Sequence, residues 1–543
     1  MQPHPETTSV TSCTIIDATD RSIRQTIGET STLARLIWVD AGLASPPLCS
    51  GLARCGRCRV RITEAAPAPH EDDREFFSAE DISAGWRLAC RHTPAHGMVV
   101  HVPLPVMPHR HASRPKHPGP FRLAVDLGTT SLQWSLLAPD GTVAAQGSET
   151  NPQMGAGSDV MSRIAMARSD KGRGRLRELV LQALQRIVAD VEGTPATADA
   201  VPPAGSGDEP TTACGYESRV EELCVAGNTA MTAILADASV EGLASAPYRL
   251  EMRGGTALAL PGLPPAWIPP LPAPFVGGDL SAGYLAVLTD HAPAFPFVLA
   301  DLGTNGEFVL ALSPERTLVT SVALGPALEG IGLTFGTVAQ RGAITSFTLT
   351  PGGLVPYVLD GGEADGISGT GYISLVHALL RAGLLDVDGR FIQSPSSPLA
   401  ARMARSIVSH RGEPCLPLAR GLYLAARDIE EILKVKAAFS LAFERLLATA
   451  QMPSHALSGI HLAGALGQHA LPADLEGLGF IPPGSGGRTR AVGNTSLRGA
   501  ELLLTSPPLR DTLNTWREGC TVVDLTAAPD FSAAFLRHMH FHF

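Results

Sequence analysis

An apolar run from Phe121 to Leu137, FRLAVDLGTTSLQWSLL, breaks at Asp126-Leu127-Gly128-Thr129-Thr130, and the same punctuation returns at Asp301-Leu302-Gly303-Thr304-Asn305-Gly306 inside Phe297 to Leu312, FVLADLGTNGEFVLAL. Each copy predicts a strand, a tight turn and a second strand. Any fold open to this chain must therefore accommodate one hairpin twice. At the first turn Gly128 lets the backbone approach a ligand closely, while Thr129 and Thr130 offer hydroxyl and N–H groups suited to phosphate oxygens. Asp126 beside them is a natural partner for hydrated Mg²⁺. In the second copy Asp301, Gly303, Thr304, Asn305 and Gly306 take the corresponding places. Glu307 adds a further carboxylate.

The rest of the chain narrows the setting. At 543 residues it has room for about three or four domains. A charged fraction of 17% and a formal net charge of −10 argue against a polyanion or anionic-membrane binder, so neither nucleic acid nor membrane is expected as a partner. No uncharged apolar run reaches membrane-spanning length of about 18 residues, and MQPHPETTSV has neither a basic start nor a hydrophobic segment. A cytoplasmic setting is expected, where cysteines stay reduced.

Four of the nine cysteines cluster by spacing: Cys49, Cys55 and Cys58 on a glycine-punctuated loop, and Cys90 in GWRLACRH. Thiolates are soft ligands, and small residues between them let backbone N–H groups turn towards sulfur, which suits a 2Fe-2S cluster. A tetrahedral zinc site is the alternative, although only Cys55 and Cys58 form a CxxC unit. Cys214 and Cys224 lack metal spacing and are expected to pack.

These signals divide the chain into residues 1–103, a small cysteine-bearing domain; 104–120, a Pro-rich linker; 121–296, a first lobe with a disordered insertion at about 193–212; and 297–543, a second lobe. His109, His111 and His117 in the linker and His538, His540 and His542 in the tail are expected to be solvated. ELCVAGNTAMTAIL predicts a strand entering a helix, with Gly227, Asn228 and Thr229 at the ligand-gathering end. The run LPGLPPAWIPPLPAPFVGGDLSAG is expected to drape over the surface. GIHLAGALGQHA predicts strand, glycine turn and helix.

The doubled hairpin resembles the two phosphate loops of the acetate kinase, sugar kinase, heat-shock and actin (ASKHA) superfamily, in which two α/β lobes close on ATP. That resemblance implies ATP as ligand and makes Gly464 and Gly467 candidates for the adenosine-contacting turn. The cysteine pattern resembles plant-type and adrenodoxin-like ferredoxins, α+β domains of β-grasp fold, with Ser50 where many such loops carry Gly. The whole chain is similar to the RACo family of reductive activators of corrinoid proteins, through CSGLARCGRC with RLAC, AVDLGTTS, NPQMGAGSDVMSRI, VAGNTAMT, FVGGDLSAG, LADLGTNGE, GPALEG, GALGQH and VGNTSLRGA. It departs from the pattern at GIGLTFGTVAQRGAI and near residue 200. The resemblance implies ATP-dependent reduction of cob(II)alamin to cob(I)alamin in a methyltransferase system. It also implies a corrinoid protein or cobalamin-dependent methyltransferase as partner and a low-potential electron donor, and it allows a homodimer. Two other functions remain open on the residues alone. One is a small-molecule kinase with a ferredoxin as redox sensor and Asp301 or Glu307 as base; the other is a nucleotide-binding scaffold without turnover.

Overall fold

The computed structural model describes residues 11–27, 32–46, 48–103, 119–192, 219–410, 412–418, 421–464 and 469–543. Most of the expected linker, the insertion at 193–212, Cys214, Gly467 and the linker histidines lie outside them.

Strands β1 (Ser12–Ile16), β2 (Ser22–Thr26), β3 (Arg59–Glu64), β4 (Trp86–Leu88) and β5 (Val99–His101) form one sheet in the order β2-β1-β5-β3-β4. β1 and β5 run parallel, and the other pairs are antiparallel. Cys13 and Ile15, then Val60 and Ile62, alternate into the core as strand periodicity requires. They meet Leu33, Leu36, Ile37 and Trp38 of the helical segment Leu33–Asp40, which completes the β-grasp domain.

The two expected hairpins form the centres of two six-stranded sheets. In the first, β6 (Phe121–Leu127) pairs antiparallel with β7 (Ser131–Leu137), which pairs with β8 (Val143–Thr150). On its other side β6 runs parallel to β9 (Val220–Gly227). β10 (Thr256–Leu258) and β11 (Ala266–Ile268) complete the order β10-β11-β9-β6-β7-β8. The second sheet repeats the arrangement. β12 (Phe297–Leu302) pairs antiparallel with β13 (Asn305–Ser313), β13 with β14 (Arg316–Ala323), and Gly459–Ala463 runs parallel to β12.

The Pro-rich run does not drape over the surface. Its Ala266–Ile268 segment is a buried strand, and Leu271, Ala273 and Val276 are buried beyond it. Ala266, Trp267 and Ile268 all carry N–H groups, so the prolines on either side confine the strand to three residues while its middle still pairs with β9 and β10.

The stretch 297–543 is not confined to the second sheet. Its helix Thr495–Thr505 packs on the first sheet and crosses the helix Gly278–His291. Gly499 permits the crossing, since a Cβ there would lie 2.0 Å from the Ala282 carbonyl oxygen. This crossing carries Asn494 and Ser496 over to the first hairpin.

The tail histidines are not simply solvated. His538 is buried, with Nε2 2.7 Å from Glu444 Oε2 and Nδ1 2.9 Å from Ser440 Oγ. His540 Nδ1 lies 2.6 Å from Asp388 Oδ1. Lys436, itself buried, donates to the carbonyls of His538 and His542, so the tail satisfies a charge that the helix Ala426–Ala450 turns inward. Among the described residues no helix is long and apolar enough to cross a membrane.

Candidate functional site

The ends of β6 and β12 face one cleft of about 780 Å³. Gly128, Thr129, Thr130 and Asn228 line it from the first sheet, and Gly303, Thr304 and Asn305 from the second. The first turn is braced from behind: the Asn151 side chain donates to the Gly128 carbonyl at 2.7 Å, and the Asn228 side chain to Thr129 Oγ1 at 3.0 Å. Buried Arg163 donates Nε to the Gly157 carbonyl at 3.0 Å and Nη1 to Gln153 Oε1 at 3.2 Å, and its second amino group bonds the Thr129 carbonyl. Burial pulls the Arg163 pKa down to about 9, against the opposing charges of Asp159 and Glu329.

Asp126, Asp301 and Glu307, the candidates from the sequence, line this cleft, together with Asp279 and Glu329. Asp126 accepts from Asn494 Nδ2 at 2.8 Å and from Ser496 Oγ at 2.9 Å. Gly277 N–H donates to Glu307 Oε2 at 3.0 Å, and Thr304 Oγ1 to Glu329 Oε1 at 2.7 Å. Burial and then the neighbouring Asp126 charge push Asp279 up to about 7; burial followed by Asp279 and Asp126 pushes Asp301 up to about 8. Burial and Asp279 likewise raise Glu307 well above the carboxylate range. Buried carboxylates that repel one another favour a bound cation, and since among the described residues no three of them converge as a closed site, hydrated Mg²⁺ held by one or two carboxylates is the ion they suit.

This arrangement makes apo stability fall as pH rises. The unfolded carboxyls ionise near their ordinary values, whereas folded Asp279 and Asp301 hold protons to about 7 and about 8. The folded state therefore binds more protons between about pH 4 and pH 8, and it loses that advantage across the window. In EDTA the melting temperature should drop between pH 5 and pH 8. An Asp279→Asn variant should flatten the drop, and Mg²⁺ should restore stability most at the alkaline end. Differential scanning fluorimetry across the range checks all three.

Some sequence candidates stand elsewhere. Thr229 is buried with its hydroxyl on the Ala273 carbonyl at 3.1 Å. Gly227 abuts the Leu127 carbonyl and Gly306 abuts Leu324, so neither glycine nor Thr229 lines the cleft, and all three serve packing. Gly464, by contrast, does line the cleft, beside Asp301, where a Cβ would lie 2.8 Å from its Oδ1. Sequence reasoning passed over Asp279, Asn494 and Ser496. The signals were present as GGD at one helix start and NTS at another, but neither spacing says that those starts meet β6.

The four candidate cluster ligands meet as two pairs. Cys58 and Cys90 Sγ are 3.3 Å apart, and Cys49 and Cys55 are joined by a side-chain hydrogen bond. Among the described residues no three Cys, His, Asp or Glu side chains converge as a single-ion site. The hydrogen bond from Cys55 pulls Cys49 down to about 5, and the same bond, with burial, pushes Cys55 up; Cys58 is raised and Cys90 lowered in the same manner. The N–H groups of Leu52, Arg54 and Cys55 point at Cys49, and that of Ala53 at Cys90. Positive φ at Ser50, Gly51, Ala53 and Gly56 turns the loop so that they can. Four thiols ringed by N–H donors are chemically suited to a 2Fe-2S cluster, and Cys49, Cys55, Cys58 and Cys90 are the residues that would hold it. Cys224, by contrast, is buried in an apolar cluster.

The cysteine-bearing domain is seated on the two lobes. Arg175 donates to the carbonyls of Val39 at 2.9 Å and Asp40 at 3.1 Å, and Gly155 lies flat against Trp38. Asp17, Arg21 and residues 41–45 line the same cleft as the two Asp-Leu-Gly-Thr turns. The cysteine loop touches both lobes: Ser50 bonds Ser158 and Asp159, Arg54 pairs with Glu431 at 3.2 Å, and Arg57 donates to the Gly336 carbonyl.

Comparison with known proteins follows the same order along the chain. A 2Fe-2S iron-sulfur cluster binding domain matches residues 16–95, the RACo middle region residues 121–200, and the C-terminal domain of RACo, the ASKHA domain, residues 296–542. The chain is 25% identical over 442 residues to the corrinoid activation enzyme RamQ of Eubacterium limosum, covering 78% of this chain and 70% of that one. It is 27% identical over 337 residues to the Co(II) methylated amine-specific corrinoid protein reductase of Methanosarcina barkeri, covering 54% and 58%. A solved reductive activator for a corrinoid, iron-sulfur protein shares the fold over 97% of this chain and 98% of that one, with a TM-score of 0.65 at 20% identity. With ferredoxin, middle and ASKHA portions matched in sequence along one polypeptide, the chain belongs to the RACo family.

Proposed function

We propose that this protein reductively activates a corrinoid protein, using ATP bound between its lobes to promote transfer of one electron from a 2Fe-2S cluster to cob(II)alamin, which becomes cob(I)alamin. The observation that carries this reading is the seating of the cysteine loop and both phosphate turns in one packed body, with the ferredoxin domain forming part of the cleft wall. Relatives named as a corrinoid activation enzyme and a corrinoid protein reductase support it. The cluster supplies a single electron at low potential, near about −400 mV for plant-type centres. Cys49 with Cys55 and Cys58 with Cys90 would hold it, and the loop N–H groups would stabilise the thiolates.

In the cleft, Gly128, Thr129, Thr130, Gly303, Thr304 and Asn305 present N–H and hydroxyl groups to phosphate oxygens. Asp126 and Asp279, with Asn494 and Ser496 fixing the former, would hold hydrated Mg²⁺. Asp301 orients the attacking water and accepts its proton as the bond from the γ-phosphorus to its bridging oxygen breaks, leaving ADP and phosphate. ATP can shift the protein between states only by binding one of them better, so closure of the lobes is the step through which it acts.

The test mixes the protein with a cob(II)alamin-containing methyltransferase, a low-potential reductant and MgATP. Cob(I)alamin should appear in the absorption spectrum, or methylcobalamin if a methyl donor is added, with little product when ATP is omitted. ATP turnover that responds to a small metabolite, which becomes phosphorylated, and not to any corrinoid protein would replace this reading with the kinase.

A further inference from the structure

Ser50 stands in the cysteine loop with φ +49°, a backbone conformation that favours glycine. Its hydroxyl is engaged away from its own domain. Ser50 Oγ lies 2.8 Å from Ser158 Oγ, accepts the Ser158 N–H at 2.8 Å and donates to Asp159 Oδ2 at 3.0 Å. Asp159 in turn caps the helix Val160–Ala167 by accepting the Ser162 N–H at 2.8 Å. One turn along that helix is Arg163, whose guanidinium spans from the Gly157 carbonyl to the Thr129 carbonyl of the first phosphate turn.

Beyond Ser50 the path runs through hydrogen bonds, with Asp159 partly exposed and the groups on either side of it buried. Ser158, Arg163 and Thr129 are buried, and a Cβ at Gly157 would lie 2.3 Å from Ser162 Cβ, so the 157–159 segment has no slack. Chains of packed and hydrogen-bonded groups carry coupling between two sites where they have two discrete arrangements. We propose that Ser50 and Arg163 are positioning residues that tie the cysteine loop to the first phosphate turn, so that nucleotide occupancy at Thr129 and the redox state of the cluster are thermodynamically linked. The inference rests on the reading that the cleft binds nucleotide and the four cysteines hold a 2Fe-2S cluster. The sign is set where Ser50 and Arg163 hold the loop and the turn in register: with the two sites so fixed, an anionic nucleotide at Thr129 and an added electron at the loop disfavour each other, and linkage makes the effect reciprocal.

The experiment uses the full-length, cluster-loaded protein and the probe Mg²⁺–AMP-PNP. Its affinity is measured by calorimetry for the oxidised and dithionite-reduced forms, and the cluster potential by EPR-monitored titration with and without the probe. The parent should bind AMP-PNP at least about tenfold more tightly when oxidised, which for one electron lowers the potential by about 59 mV on saturation. Ser50→Gly removes the hydroxyl while easing the positive φ, and Arg163→Lys keeps the charge while losing the fork. Each should bring the difference below about twofold with the EPR signal of the cluster retained. Equal affinities of the parent in both redox states, or an undiminished difference in Ser50→Gly, would overturn the proposal and leave the proposed function standing. Failure of the loaded parent to bind AMP-PNP in either state would instead overturn the nucleotide reading, and this proposal with it.

Discussion

A Cys58→Ser variant should lose the visible absorption and EPR signal of a 2Fe-2S centre and should produce no cob(I)alamin from MgATP and reductant, while still binding nucleotide. Cys58 is buried, and its Sγ lies 3.3 Å from that of Cys90, so removing it deprives one iron of half its thiolates. The hydroxyl that replaces it is a harder and far less acidic ligand. The turns that line the cleft stand on the sheets and cores of their own lobes, so binding should persist although the cysteine-bearing domain supplies part of the wall. Iron and sulfide analysis, EPR after dithionite and calorimetry with AMP-PNP measure the three parts separately. Stoichiometric zinc without iron in anaerobically prepared parent protein would overturn the expectation.

Asp301→Asn should lower ATP turnover on the order of 10²–10³-fold with a much smaller change in affinity. The substitution preserves shape but removes the carboxylate whose pKa burial and the Asp279 charge push up to about 8, in the range a base needs near neutral pH. Relief of repulsion within the acidic cluster should also stabilise the variant in the absence of Mg²⁺, opposite in direction to the loss of turnover. A variant with parental turnover would remove Asp301 from the chemistry. Since the proposed electron transfer depends on ATP, the same variant should fail to activate a corrinoid protein although its cluster signal is intact.

Elements whose signals are local were legible in the amino-acid order. Alternating or continuous apolar runs broken by Asp-Leu-Gly-Thr specify both hairpins, because period and turn chemistry act over a few residues, and β6–β7 and β12–β13 form where those runs lie. Cysteine spacing likewise brought three of the four thiols onto one loop, since a short glycine-containing segment cannot carry them far apart.

What meets across the chain was settled by packing alone. Asp279 and Asn494 start different helices, and they reach Asp126 only because Gly499 lets the Thr495–Thr505 helix cross close to Ala282. The Pro-rich run became a buried strand because its short middle segment found β9 as a partner, which proline content does not reveal. The rings of His538 and His540 pair with Glu444 and Asp388, and Lys436 takes the carbonyls of His538 and His542, all charges distant in sequence that had to be satisfied on folding. The same holds for Ser50. A loop residue that reads as a minor departure from glycine acquires its partners, Ser158 and Asp159, only when the ferredoxin domain is seated on the first lobe, since pairing between distant segments is set by packing rather than by periodicity.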